Sequence, residues 1–278
     1  MTTFAAPAPV VVDVPFGVLE VRATERDDLV VTVTPTDPAK SGSVRAAEAI
    51  RVERDADAIR ITYPGSWTQY VRPFAAGTAT ITLEVPVGTH LSGKAGVLNA
   101  QGSLGVVDLA MSAGDVRLDD VDRLDLAVSA GSVVVGHVAS GLNVKASAGS
   151  VRIGTLDGDG RIRSAAGTTT VATLHGTLEV AGSAGDVVVG DMTGTLTAKA
   201  AHGGIRVDRV RSGSVTAKTS FGSIEVGVPE GTAAWLDTTT AHGNVRNELP
   251  PSDGPLEGDE TAEIHAATGF GNVLVRRA

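Results

Sequence analysis

The 278-residue chain contains no cysteine, few aromatic residues and no long apolar segment. Without cysteine it cannot form disulfides, thiolate metal sites or a cysteine nucleophile. No apolar run is long enough to cross a bilayer, and the start, MTTFAAPAPVVVDV, lacks the basic and apolar regions of a signal peptide. We therefore expect a soluble, cytoplasmic protein that does not insert into a membrane.

The charge balance is acidic, with a formal net charge of -9. Such a chain is not drawn as a whole to nucleic acid or to anionic lipid, so neither is an expected partner. Aromatics make up only 3% of the residues, so Val, Leu and Ala must build the core. Abundant valine and threonine between frequent glycines favour strands over helices.

A glycine recurs at nearly constant spacing through most of the chain. Successive members lie 17 to 19 residues apart as far as Gly222, and the last two intervals are 21 and 28 residues. The positions are Gly96, Gly114, Gly131, Gly149, Gly167, Gly185, Gly203, Gly222, Gly243 and Gly271. Such regularity indicates structural repeats, with each glycine at a tight corner.

Apolar residues follow each glycine with a strict period of two. Val133 and Val135 follow Gly131, for example, and Val187 and Val189 follow Gly185. This alternation predicts strands with one buried and one solvent-exposed face. The three- and four-residue spacing of an amphipathic helix is absent, and helix-breaking residues recur throughout. An antiparallel sandwich needs no constant period, but a parallel coil does. The predicted fold is all-β, a parallel β-helix or β-solenoid with coils of about 18 residues.

The expected organisation is a single domain with three regions. Residues 1–95 would form irregular N-terminal coils and a cap, 96–246 the regular coils, and 247–278 a loop and a terminal coil. In the first region, VVVDVPFGVLEV already has the register of the later coils. Further strands are expected at 29–33, 50–52, 59–61 and 80–85, with interruptions at 34–43 and 63–77.

The residue before the corner glycine becomes large late in the chain. It is His202, Phe221, His242 and finally Phe270. If the coils stack in chain order, these rings form a ladder on one edge, with an aromatic ring between the two imidazoles. The ladder is either an interaction site or a set of larger corner residues in wider coils. No carboxylate recurs beside the histidines, so no metal site is predicted.

Basic residues recur four positions before the corner glycines. They are Lys145, Arg163, Lys199 and Lys218, and Ala181 interrupts the series. In stacked coils they form a cationic stripe on an acidic body. The stripe either meets a polyanion or is a solubilising face that discourages aggregation.

The segment 63–77 contains Trp67 and Tyr70 among its aromatic residues. Such a cluster either covers the end of an apolar core or binds a sugar or peptide. The acidic segments DDVDRLD (119–125) and DGDG (157–160) lack the spacing of calcium loops, and no calcium site is predicted. No cofactor is expected.

Catalysis by a β-helix needs acids, a base or bound calcium gathered on one face. The solvent-facing positions mix Asp, Ser, Arg, Thr and Val without a converging trio, and no known catalytic motif occurs. We expect a protein that is not an enzyme.

Several segments together resemble a known family, the bacterial "putative adhesin" domain of unknown function. They are VVVDVPFGVLEVRA, VPVGTHLSGKAG, the SAGDVRL, SAGSVVV and SAGSVRI repeats, and the closing FGNVLVRR. The resemblance covers essentially the whole chain. It implies a β-helical solenoid with no established activity and no catalytic residues to assign.

The function expected is that of a non-catalytic interaction or scaffold protein that presents a rigid surface to a protein or polysaccharide partner. One alternative is self-association, by end-to-end stacking as in the bactofilins. Another is a β-helix that binds or processes carbohydrate.

Overall fold

The computed structural model describes residues 1–55, 57–64, 77–250, 254, 258 and 260–278. Strands predominate, and the chain divides into two compact units, Met1–Val135 and Gly136–Ala278. The proposed organisation as one domain with three regions stays a prediction. The strands of the first unit are β1 (Thr2–Ala5), β2 (Val10–Thr24), β3 (Asp28–Pro35), β4 (Arg51–Asp55), β5 (Ala58–Thr62), β6 (Ala79–Pro86), β7 (Leu91–Met111) and β8 (Val116–Ala130).

Parallel strands stacked in register form the core of Met1–Val135. Strand β2 pairs with β7 on one edge and with β5 and β6 on the other, and β7 pairs with β8. Leu19 lies opposite Leu98, so VVVDVPFGVLEV does share the register of the later coils. Their inward side chains, such as Leu19, Leu98 and Leu118, are fully buried.

The early part of this unit departs from coil geometry. Strand β3 runs antiparallel to β1 and β6, and β4 runs antiparallel to β5. Strands β4 and β5 are two residues apart in sequence, and so short a connection allows only a hairpin. The four strands expected between residues 29 and 85 are all present.

The described residues include one helix, α1 (Ser41–Ala49), in a chain whose predicted all-β class is otherwise confirmed. It begins inside the segment predicted to be an interruption, and no side chain caps its first turn. The stretch RAAEA at its end consists of strong helix formers. Because only Ser43 and Ala46 are buried, the helix has no apolar periodicity for sequence analysis to detect.

The second unit contains the remaining strands. They are β9 (Val133–Ala148), which begins just before it, β10 (Val151–Leu156), β11 (Asp159–Ala166), β12 (Thr169–Ala184), β13 (Val187–His202), β14 (Ile205–Phe221), β15 (Ile224–Val228), β16 (Thr232–His242), β17 (Val245–Asn247), β18 (Glu260–Phe270) and β19 (Val273–Arg277). Strands β10 to β14 stack in parallel, and equivalent residues lie opposite one another. The parallel coil predicted from the period is confirmed.

The glycine corners also stack. We call one coil of the stack a rung. Gly185 has φ +130°, and a Cβ placed on it would lie 2.2 Å from the carbonyl oxygen of Gly167 in the preceding rung. A second corner column, which the sequence analysis missed, contains Gly176, Gly194 and Gly213, all with positive φ. The sequence signal for this column is a Gly-Thr-Leu or Gly-Ser-Val that recurs two or three residues after an apolar core residue, as in Met192 followed by Gly194.

The last rungs do not stack in chain order. Strand β18 lies between β14 and β16, and β19 lies between β15 and β17. The inserted rung carries the apolar residues, with Ile264 and Val273 fully buried. In the rung that precedes it in sequence, β16 is rich in threonine and Val245 of β17 is 44% exposed. The more apolar rung is the one with neighbours on both edges, which removes more apolar surface from water.

Candidate interaction surface

Four rings form a stacked column at one corner of Gly136–Ala278, which we call the ring column: His202, Phe221, Phe270 and His242. The His202 and Phe221 centroids are 5.0 Å apart, those of Phe221 and Phe270 are 5.0 Å apart, and those of Phe270 and His242 are 4.4 Å apart. Planes of neighbouring rings differ by 15° or less. The predicted ladder therefore exists.

The order of the rings differs from the expected one. Because β18 is inserted before β16, Phe270 stacks directly on Phe221, and the imidazoles of His202 and His242 lie at the two ends. The expected order of the rings, with a single aromatic ring between the imidazoles, was therefore wrong, because it assumed that rungs stack in chain order. Two phenylalanine rings separate the imidazoles.

The rings remain accessible although they stack. Phe221 is 49% exposed and Phe270 is 50% exposed. Each inner ring has both faces covered by its neighbours, so the column presents ring edges to solvent. Aromatic edges carry the positive part of the ring quadrupole, and each stacked pair contributes about 0.5–1.5 kcal/mol.

The predicted basic residues also lie in one column, which we call the cation column. Lys145, Arg163, Lys199 and Lys218 occupy the same register position, with Ala181 between Arg163 and Lys199. All four cations are exposed. Adjacent rungs of a sheet are about 4.8 Å apart, so the charged groups follow one another at that step, with one gap.

The four side chains of the cation column have no acidic partner within ion-pair distance among the described residues. Other arginines of this unit do have such partners. Arg161 pairs with Glu179 at 2.6 Å, and Arg211 pairs with Asp191 at 2.7 Å. The column is thus a local concentration of unpaired positive charge on an acidic chain.

A shallow groove of about 430 Å³ lies over the rungs of Lys145, Arg163 and Ala181. Its lining includes Lys145 and Arg163, the small residue Ala181, and the hydroxyl-bearing Ser147 and Ser183. Ser164 also lines it, is 5% exposed, and is the one residue of the described ranges whose buried side-chain oxygen has no hydrogen-bond partner.

The predicted aromatic residues Trp67 and Tyr70 lie outside the residues that the structure describes. Their interaction role stays a prediction.

The sequence analysis missed a carboxylate between two imidazoles. Asp157 Oδ2 is 2.8 Å from His137 Nε2, and Asp157 Oδ1 is 2.8 Å from His175 Nδ1. These contacts, with His175 the larger contributor, lower the pKa of Asp157. The residues come from different coils, so only an alignment of solvent-facing positions across the repeats would have brought them together.

A second missed cluster surrounds His265 on β18. Its Nε2 lies 2.9 Å from Glu263 Oε1 and its Nδ1 lies 3.3 Å from Asp237 Oδ2, while Thr216 lies opposite it on β14. The indole of Trp235, 57% exposed, meets the imidazole edge-on. Both ring nitrogens face carboxylates, so the pKa of His265 is raised, chiefly by Glu263 and then by Asp237.

We expect folding stability to depend on the protonation of His265. The folded protein favours the imidazolium, so its contribution is complete below the unfolded pKa of about 6.5 and is lost as the pH rises through the higher folded pKa. The difference in Tm between the wild-type protein and His265→Gln should therefore shrink from about pH 5.5 to about pH 8.5. Glu263→Gln should lower the His265 pKa measured by NMR more than Asp237→Asn does. A Tm difference that grows with pH would contradict this assignment.

No group of three or more histidine or acidic side chains among the described residues has the geometry of a metal site. No helix in the same ranges is long and apolar enough to cross a membrane.

These features define a β-solenoid protein whose exposed columns are candidates for binding. The chain belongs to the Toastrack DUF4097 family, whose model matches residues 13–263. The resemblance predicted from the repeats is confirmed, and the family is a domain of unknown specific function. No curated protein matches the chain.

The chain is also similar to solved structures at low identity. A "putative adhesin" from Bacteroides fragilis NCTC 9343 is 13% identical, with a TM-score of 0.45 and coverage of 99% of this chain and 95% of the other. A "putative lipid binding protein" from Parabacteroides distasonis ATCC 8503 is 14% identical, with a TM-score of 0.44 and coverage of 98% and 96%. The assignment of this chain to its family therefore rests on the match to the family model.

Proposed function

We propose that this protein is a non-catalytic binding protein that holds an extended macromolecule on the outer face of Gly136–Ala278. The observation that carries the proposal is the cation column, in a chain with net charge -9. Its four exposed cations share one register position and pair with no carboxylate in the part of the chain that the structure describes. Unpaired like charges at a fixed step repel one another, and an anionic ligand would relieve that repulsion.

The repetitive surface suits a ligand that is itself repetitive. Successive rungs lie about 4.8 Å apart, so one linear molecule can contact several of the cations at once. Each exposed contact is individually weak, but contacts along one chain act at high effective concentration. The ring column adds positive ring edges at the neighbouring corner.

Self-association is the second candidate, and a separate observation favours it. Strand β16 pairs with β18 on one edge, and no other described strand pairs with its opposite edge. Trp235 and Val245 are exposed on the same terminal rung. Open strand edges pair readily with other chains.

The first test uses immobilised polymers: polygalacturonate, dextran sulfate, dextran, chitin oligosaccharides and poly-L-glutamate. We expect the protein to bind at least one anionic polymer, and Lys199→Ala/Lys218→Ala to weaken that binding at least about tenfold. The matched control, Lys94→Ala/Arg152→Ala, removes the same charge from exposed positions outside the column and should retain binding.

Two further results decide the proposal. Absence of binding to every polymer, or equal affinity of the two double variants, would refute the binding surface. Shortening of a bound polymer during incubation would refute the non-catalytic role. Light scattering on the same preparation reports self-association, and a monodisperse monomer argues against the second candidate.

A further inference from the structure

The interruption of the cation column lies in the lining of the groove. Ala181 replaces the basic residue that the register would place there. Its side chain is a single methyl group on a face where the neighbouring Arg163 and Lys199 are long.

Arg163 and Lys199 flank this position from either side. Each lies one rung from Ala181, about 4.8 Å along the stack, so both charged groups can reach an atom placed over Ala181. The guanidinium of Arg163 has the planar fork that binds a carboxylate through two hydrogen bonds. An anionic group over Ala181 would fill the gap and pair with two cations that have no carboxylate partner among the described residues.

Exposed hydroxyl groups line the same groove. Ser147 and Ser183 lie one rung on either side of Ala165. Small side chains leave room for a bulky ring, and their hydroxyls both donate and accept hydrogen bonds. A sugar ring, which carries several hydroxyls, matches this lining.

We infer that the groove over Ala181 is a seat for the carboxylate of a linear acidic polysaccharide. The inference rests on the proposed binding function and adds the ligand class and the position of one sugar acid. Arg163 and Lys199 hold the carboxylate, Ser147 and Ser183 contact sugar hydroxyls, and Lys145 and Lys218 meet further charges along the polymer.

Two other kinds of polyanion fit the surface less well. Single-stranded nucleic acid is held by bases stacked on aromatic faces, and the inner faces of the ring column are occupied by neighbouring rings. An acidic peptide that adds as a strand needs a free sheet edge, and β12 is paired on both sides at this position.

The test replaces Ala181 with glutamate, which places a carboxylate of the protein itself over the seat. We expect Ala181→Glu to weaken polygalacturonate binding at least about tenfold, because the internal carboxylate occupies Arg163 and Lys199. The matched control is Ala172→Glu, which makes the same change at an exposed position of the same strand, away from the cation column. It should change affinity by less than about twofold.

A second variant distinguishes a specific carboxylate site from general electrostatic attraction to the cation column. Ala181→Lys adds a positive charge but fills the groove, so a seat predicts weaker or unchanged binding. Tighter binding by Ala181→Lys would overturn the inference and indicate general electrostatic attraction. Thermal unfolding of each variant checks that the fold is retained, and this variant serves as the test if the glutamate protein does not fold.

The outcomes distinguish the inference from the proposed function. Equal loss in Ala181→Glu and Ala172→Glu, or no loss in Ala181→Glu while Lys199→Ala/Lys218→Ala loses binding, overturns the seat and leaves the binding surface. Poly-L-glutamate bound as tightly as polygalacturonate overturns the sugar ligand alone. Failure of every polymer to bind refutes the proposed function itself.

Discussion

Val189→Asp is expected to destabilise the protein by at least about 4 kcal/mol, enough to unfold most of the Gly136–Ala278 unit under ordinary conditions. Val189 is 0% exposed and lies between Val171 and Val207 in adjacent rungs. A carboxylate there would be buried among apolar side chains without a partner, and desolvating an unpaired charge costs several kcal/mol. Urea unfolding followed by circular dichroism measures the change.

The neighbouring residue is the matched control for this experiment. Val188 points to the opposite face and lies beside Arg206 in the next rung, so Val188→Asp should cost less than about 1 kcal/mol. Val135→Asp, at a residue 1% exposed, should resemble Val189→Asp, and Lys145→Ala should stay within about 0.5 kcal/mol. Similar stability of Val189→Asp and Val188→Asp would show that the inside and outside faces are wrongly assigned.

The second large effect is expected at a stacked glycine corner. Gly185→Ala should lose about 2–4 kcal/mol, because alanine strongly disfavours φ +130° and its Cβ would lie 2.2 Å from the carbonyl oxygen of Gly167. The strand cannot move away from that oxygen without breaking the ladder to the preceding rung.

Three residues earlier, at Gly182, the same substitution should raise the stability of the protein instead of lowering it. Gly182 is not in the left-handed region, and the space beside it is open to 3.9 Å. Gly182→Ala should therefore stabilise the protein by about 0.4–1 kcal/mol, through the lower conformational entropy of the unfolded chain. Thermal unfolding of the two variants gives the comparison, and destabilisation by both to the same extent would contradict the assigned corner.

Regular local patterns allowed much of the fold to be predicted. Val187 and Val189 alternate with wet residues after Gly185, and the same pattern recurs at a constant interval, so parallel stacking was the one arrangement that explained the period. The cation column followed directly, since residues at equal distances from corner glycines must lie opposite one another in stacked rungs.

The features that could not be predicted from the sequence share a different cause. Helix α1 has no strong cap and almost no buried face, so its formation depends on the strands against which it packs. The position of β18 depends on which of two similar rungs buries more apolar surface. The contact of Asp157 with His137 and His175 joins residues of different coils, and each is unremarkable within its own repeat.

The sequence by itself determined the period, the inward and outward faces and the stacking of like residues, because these follow from local backbone geometry repeated along the chain. Tertiary structure alone decided the order of the last rungs, and hence that Phe221 contacts Phe270 with an imidazole at each end. It also decided that Ala181, where the cation column lacks a basic residue, lines a groove. The depth of a surface depends on which residues are neighbours in space. Local patterns specify where each side chain points, whereas competition between rungs for burial specifies which side chains meet.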